Sequence, residues 1–410
     1  MAATARASFN WLDHDDEEAK RVIEAMRAAT SPGMLDPLGF GAIRDTISDA
    51  LFPGISTVQT RARYYLMVPW IYQRIEREKV TPRFAGGKIE EWEKDLIESL
   101  LRGSDDLTGI IGQERKRDTK QLPSEIYWGG LGRFGIRRFS GSRREYLVSL
   151  SKLRAARRQH GDREDLEEQD HQGPWHEPMP EAPPDLWRSA TLEMLPGEAS
   201  FLADRIRNAD PHSYLAFLLD HASPDRLPSL PWECPDRWRL PDHLSTWLDV
   251  ARRFSLVSWG ANLTYNSLLS DAYVADGGAG FRTSLGRDLD AWANLMVDTR
   301  DQMEAWCTSD KPLWDRLTAA NWRVERPRHF TQWWLGVAPQ VARDRLASRP
   351  IAGTVAAEIA RRELLIKTRR ARLTYPNIRE ATEGPQGDDR MIFRWNVARD
   401  IVRDILTAAD

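Results

Sequence analysis

A mainly α-helical, multi-helix protein of two domains is predicted by three observations. Apolar residues recur at three- and four-residue spacing along most of the chain, proline and glycine punctuate those runs, and period-two alternation is scarce. The length of 410 residues exceeds what one core usually holds, which sets the domain count at two or three. An apolar fraction of 41% beside a charged fraction of 29% suits helices with solvated faces joined by polar connections. The 17 tryptophans are expected mainly in cores and grooves, where each buried indole removes roughly 200 Å² from water.

Taken in order, residues 15–29 carry Ala19, Val22, Ile23, Met26 and Ala29 at helical spacing. Acidic residues Asp13, Asp15, Asp16 and Glu17 stand at the start, where the helix dipole favours them. Residues 42–52 place Ile43, Ile47 and Leu51 on one face and stop at Pro53-Gly54. Ser56 or Thr57 is expected to cap a longer helix whose stripe runs through Ala62, Tyr65, Val68, Ile71, Tyr72 and Ile75, with Pro69 inside it. In that helix Arg61 or Arg63 is expected to stack on Tyr64 or Tyr65, or to bind an internal carboxylate such as Asp45 or Asp49. Residues 88–102 are amphipathic through Ile89, Trp92, Leu96, Ile97 and Leu100.

Gly130, Gly132 and Gly135 match the dinucleotide spacing G-x-G-x-x-G, but no strand pattern feeds the turn. The better reading is a helix starting at Pro123-Ser124-Glu125 and ending at Phe134, with Gly135 as its left-handed cap. Residues 122–158 therefore read as a winged-helix-like segment ending in a basic helix over 143–158. Its Arg133, Arg137, Arg138, Arg143 and Arg144 suit nucleic-acid phosphates. Residues 159–184 lose all periodicity and are read as a polar linker or long loop, with His160, His171 and His176 solvated. The domain division is 1–158 and a tryptophan-rich 185–410.

In the second half, helices are expected over 197–208, 211–222, 242–259, 285–307 and 311–320, with an ordered wrapping loop over 224–241. Residues 323–335 are the best strand candidate there. Residues 354–373 read as one long basic helix carrying Arg361, Arg362, Lys367, Arg369, Arg370 and Arg372. Lys367, Arg369 and Arg370 are its candidate phosphate contacts, and the competing reading, which a charge run favours, is a solvated face partnered by acidic neighbours. Residues 391–406 close the chain with Phe393, Val397, Ile401 and Ile405 four apart.

Several function classes are disfavoured. Cys234 and Cys307 form no C-x-x-C pair, so neither a disulfide framework nor a zinc site is indicated. No apolar run approaches the ~20 residues a membrane helix needs, and the first residues lack a signal-peptide core, so a cytoplasmic location is expected. The net charge of −3 argues against a wholesale nucleic-acid coat but leaves room for local basic patches. No Walker loop, G-x-S-x-G elbow or H-E-x-x-H run occurs. Asp105, Asp118 and Lys120 mimic a metal-dependent nuclease spacing. No catalytic residue, metal ligand or cofactor is assigned.

Trp11-Leu12-Asp13, Ile43-Arg44-Asp45, the block from Leu51-Phe52-Pro53-Gly54 to Tyr72, and Ile126-Tyr127-Trp128 with Leu131, Arg133, Gly135 and Ile136 together resemble a bacterial domain-of-unknown-function family. The likeness extends to Arg372-Leu373 and Arg394-Trp395 and covers most of the chain. It implies a solitary protein of about this size, some members being encoded near helicases and other DNA-processing or phage-defence genes. It transfers no catalytic residue. The leading expectation is thus a non-catalytic accessory component of a DNA-handling or anti-phage defence system, contacting double-stranded DNA through its basic patches. The alternative is a protein–protein adaptor for a helicase or nuclease subunit, and the second alternative is a metal-dependent nuclease.

Overall fold

The structure is a computed structural model that describes residues 36–78, 80–161, 173–177, 179–278, 280, 283–299, 311–380, 384–385 and 387–409. The helix expected over 15–29, its acidic start, Trp11, His171 and Cys307 lie outside the described residues, as does the His160 side chain. Fourteen helices form among the described residues, with no strand; the one β contact is an isolated antiparallel bridge between Arg137 and Trp175. No described helix is long and apolar enough to cross a membrane.

Helix α1 (Gly41–Leu51) buries Ile43, Ile47 and Leu51, the four-residue series of the sequence. The chain turns after it at Gly54, where φ is +80°. Helix α2 (Tyr64–Arg77) buries every residue from Tyr64 to Tyr72, and Pro69 sits within it. Neither Ser56 nor Thr57 caps α2, because the backbone ahead of it is held from elsewhere. The N–H groups of Thr60 and Arg61 donate to Tyr127 Oη at 2.9 and 3.1 Å, and that of Ala62 to Asp404 Oδ2 at 2.9 Å. These partners lie far along the chain and delay the helix to Tyr64.

Helices α3 (Pro82–Gly103), α4 (Pro123–Arg133) and α5 (Arg143–Gly161) pack around α2. Prolines at the first turns of α3 and α4 remove an N–H that has no intrahelical partner there. Gly135 takes φ of +65° just past α4, as its cap role requires. The rings of Tyr72, Trp128, Tyr146 and Trp175 meet at centroid distances of 5.1 to 6.0 Å. Trp175 belongs to the stretch expected as a polar linker, yet it is buried; residues 162–172 lie outside the described residues. The helices of the winged-helix-like segment form, but no wing of paired strands accompanies them among the described residues.

Helices α6 (Pro196–Ala209) and α7 (Tyr214–His221) follow, then α8 (Asp242–Ala275), α9 (Thr283–Asp298) and α10 (Lys311–Ala320). Helix α8 runs well past Trp259. Gly260 does not break it, since a Cβ there would overlap the indole of Trp292 from α9, so the glycine serves close packing. Trp292 donates to Leu256 O at 3.1 Å and Trp334 to Val257 O at 2.9 Å.

The strand expected over 323–335 is instead the start of α11 (Glu325–Leu346). Its buried Phe330, Thr331, Trp334, Leu335, Ala338, Val341 and Ala342 follow helical spacing, and Pro327 falls in the first turn where no intrahelical bond is lost. Helices α12 (Gly353–Lys367), α13 (Pro376–Glu380) and α14 (Trp395–Ala409) complete the chain. Helix α14 packs on α6 and α7, and α1 packs on α8, where Phe40 meets Phe254 and Phe330 at 5.6 and 5.8 Å. Of the tryptophans described, ten are buried, and only Trp238 and Trp322 are exposed.

Candidate nucleic-acid interface

The two basic clusters of the sequence meet different fates. In the first, Arg137 folds back over the Trp128 ring at 4.6 Å and donates to the carbonyls of Trp128, Phe139 and Gly141. It closes the turn after α4 and is partly buried there. Arg133 pairs with Asp210, and Arg143 donates to Ser124 Oγ at 3.0 Å and to Glu125 at 3.2 Å. Arg138 is half-buried; burial, then Arg205 and Arg138, hold the neighbouring His176 below its ordinary pKa. Arg144 alone of the five is exposed without a partner among the described residues. The Arg143 guanidinium, reaching from the first residue of α5, bonds the start of α4 at Ser124 and Glu125, whereas Arg133 ends α4, so about 15 Å of helix separates them.

The internal ion pairs also differ from expectation. Arg61 bonds Asp404 at 2.9 and 3.0 Å and Arg63 bonds Glu198 at 2.9 Å through two nitrogens. Asp45 and Asp49 pair instead with Arg394, and Asp45 also with Arg44. A partner 135 or 343 positions away is invisible to a reading of local spacing.

Asp118 and Lys120 line a cleft of about 610 Å³ with Arg143, Glu125, Tyr72 and Glu93, whereas Asp105 is not on its wall. Among the described residues, no three or more His, Cys, Asp or Glu side chains are grouped to hold a metal ion. Glu93 was not legible as special. It sits fully buried on α3 and receives the Ser124 N–H at 2.6 Å and hydroxyl at 3.1 Å, capping α4 from outside. Burial pushes its carboxyl up to about 7 from an ordinary value near 4.5, against the pull of Ser124 and Arg143.

The folded chain therefore binds more protons than the unfolded one between those values. Stability falls as pH rises through that window and levels off above about 7. The loss approaches roughly 3 kcal/mol. Urea unfolding of wild type and Glu93→Gln from pH 4.5 to 8 should show a difference that grows across the window. A flat difference would mean that this carboxyl does not titrate in place.

The second cluster is organised around a buried carboxylate. The expected helix over 354–373 stops at Lys367, because Glu363 reaches forward to hold the chain beyond it. Glu363, fully buried, receives the N–H groups of Arg372 and Leu373 at 2.9 Å each and Tyr265 Oη at 2.7 Å. Arg379 adds bonds to the carbonyls of Arg372 and Leu373, at 2.7 and 3.1 Å, and pairs with Asp276. Between the end of α12 and this clamp, Thr368 to Arg370 form a tight turn, with Thr368 at φ of +49°. A β-branched residue is strained there and persists only where its surroundings over-determine it.

This turn sorts the cluster. Arg362 is buried, donating to Leu38 O at 2.9 Å, Arg372 is buried, and Arg361 pairs with Glu358. Lys367 is half-buried 3.9 Å from Glu363; burial holds its amine below the usual lysine range, against the raising effect of Glu363. Arg369 and Arg370 are exposed with no carboxylate partner among the described residues. The negative end of the α12 dipole accounts for cations at this position; it does not account for strain at Thr368.

Residues 7–409 match a family whose description is a family of unknown function. The match spans nearly the whole chain, as the resemblance implied. No curated protein and no solved structure matches.

Proposed function

The chain belongs to that family, DUF6361, and we propose that it is a non-catalytic accessory protein that contacts nucleic-acid phosphates through the arginine turn after α12. A role in DNA handling or anti-phage defence is the setting that the sequence resemblance implies. One observation carries the proposal: Arg369 and Arg370 stand out on a strained turn pinned by buried Glu363, while most of the other clustered cations are committed to internal partners. A backbone held this firmly fixes where the two arginine side chains leave the turn, and their guanidinium forks suit phosphate oxygens. Arg144 is the one exposed cation of the first cluster with no partner among the described residues.

Binding of the full chain to duplex DNA should be measured from low to moderate salt. Each phosphate contact contributes about 0.9 to the slope of log affinity against log salt. Arg369→Ala/Arg370→Ala should therefore flatten the slope by roughly 2 and weaken binding across sequences alike. Binding that ignores salt, or a double variant identical to wild type, would overturn the assignment.

The adaptor reading is favoured by a separate observation: Trp238 and Trp322 expose 81% and 64% of their surface. Trp322 is flanked by Arg323 and Arg326, each 5.8 Å from its ring. Tryptophan and arginine dominate binding hot spots. Trp322→Ala and Trp238→Ala should then release a partner that survives nuclease treatment in a pull-down.

A further inference from the structure

The cleft of about 610 Å³ that Asp118 and Lys120 line is walled from three directions. Gly86, Ile89, Glu90, Glu93 and Lys94 fall at helical spacing on one face of α3. Arg143 and Leu147, one turn apart on α5, form a second wall, and the stretch from Arg117 to Lys120 a third. The volume falls within the roughly 300–1,000 Å³ of small-molecule sites. Two features here cost the fold stability without a packing reason. Glycine is a poor helix former, yet Gly86 lies inside α3, where a Cβ would meet only Leu147 Cδ1, at an ordinary 3.5 Å. Lys116, exposed and leading into the third wall, takes φ of +48°, a strained value of the kind that recurs at ligand clamps.

The charges on these walls sort into committed and open ones. Lys94 bonds Glu90 at 2.7 Å, Arg143 bonds Glu125 at 3.2 Å and Arg117 bonds Asp95 at 2.8 Å. Glu93 is occupied by Ser124. The side chains of Asp118 and Lys120 remain, both exposed and without an ion-pair or hydrogen-bond partner among the described residues. They offer one carboxylate and one ammonium two positions apart, while Gly86, Ile89, Leu122 and Leu147 supply the apolar lining. The lining carries four carboxylates and four cations in all. A wall so balanced favours a ligand bearing both charges over a net anion or a net cation.

We propose that this cleft binds a small zwitterion with an apolar side chain, the chemistry of a free apolar amino acid. The ligand ammonium pairs with Asp118 and the ligand carboxylate with Lys120. Its side chain takes the space that Gly86 leaves beside Leu147. Exposed ion pairs alone are weak, so the apolar contact supplies part of the affinity. The site is independent of the arginine turn and of the nucleic-acid reading.

Calorimetric titration of the full chain with L-leucine, L-methionine and L-phenylalanine tests this. At least one should bind saturably, and glycine, which lacks the apolar part, should not. Asp118→Asn and Lys120→Ala should each weaken binding of that amino acid about tenfold. Analogues then match each charge to its residue. The N-acetyl derivative, which lacks the ammonium, should bind Asp118→Asn as it binds wild type. The amide, which lacks the carboxylate, should bind Lys120→Ala as it binds wild type. Gly86→Leu should keep or raise the Tm, since leucine favours the helix, while abolishing binding. Arg369→Ala/Arg370→Ala should leave binding unchanged, so a failure here and a failure of the nucleic-acid reading are separate results. No saturable binding by wild type, or equal affinity in wild type and the folded Asp118 and Lys120 variants, overturns the proposal. So does binding retained in Gly86→Leu. An N-acetyl derivative that binds wild type more tightly than its parent marks a plain anion site and overturns it equally.

Discussion

Arg63→Ala is expected to destabilise the protein by about 3–5 kcal/mol, the usual consequence of stripping one partner from a buried ion pair. Arg63 directly precedes α2, and its guanidinium grips both oxygens of Glu198 at 2.9 Å while donating to Thr191 O at 2.9 Å. Glu198 also receives the Leu195 N–H at 3.0 Å at the start of α6. The side chains of the pair are only 6% and 3% exposed, so water cannot replace the lost guanidinium. A carboxylate would be left buried with one backbone donor, and the join between α2 and α6 would open. Since whole domains are stable by only about 5–15 kcal/mol, the variant should lose much of its margin. The guanidinium midpoint should fall sharply, whereas Arg63→Met/Glu198→Leu, which removes both charges, should recover part of the loss. A single-variant loss under about 1 kcal/mol would show that the pair behaves as a solvated surface bridge.

The contrast with the sequence reading is instructive at particular residues. Helices α1, α3, α4 and α14 were legible because each carries its own apolar period, and α1 and α4 also a local stop at Pro53-Gly54 and Gly135. Helix α14 nevertheless begins at Trp395 rather than 391, because Phe393 and Arg394 take positive φ. The start of α2 was not, because Tyr127 and Asp404 engage the backbone that Ser56 or Thr57 was expected to cap. The helix expected over 242–259 continues through Gly260 inside α8, where the approach of Trp292 requires a glycine. The strand candidate at 323–335 failed because aromatic residues that favour strands also fill a helix face when a core waits on that side.

The site was legible only as composition. Arginine and lysine clusters are visible in the sequence, but whether a cation is free depends on carboxylates brought in from elsewhere. Asp210 takes Arg133, Glu358 takes Arg361, and the carbonyls around Trp128 take Arg137. Glu93 and Glu363, the two buried carboxylates that organise the cleft and the turn, sit among many acidic residues of identical sequence appearance. Their helical faces differ from solvated ones only after packing.

Glu363→Ala should have the second large effect, about 3–6 kcal/mol, and it separates the turn from the helices around it. Removing the carboxylate strands the Tyr265 hydroxyl and the Arg372 N–H in a buried site and the Leu373 N–H in a part-buried one. Each unsatisfied buried group costs roughly 1–3 kcal/mol. Without those bonds only Arg379 still holds the segment beyond Thr368 at φ of +49°, and the turn should relax toward ordinary backbone angles. Arg369 and Arg370 then lose their fixed backbone positions while keeping their charge. DNA binding should weaken toward the level of Arg369→Ala/Arg370→Ala, yet with a salt slope nearer wild type, because the same cations remain available. Glu363→Gln keeps an acceptor and should cost less stability. Burial already lowers the Lys367 pKa and this variant removes the Glu363 charge that opposes it, so its DNA affinity should begin to fall at a lower pH than that of wild type. If both Glu363 variants bind DNA with wild-type affinity while losing stability, the clamp serves the fold alone and the backbone placement of the two arginines carries no function.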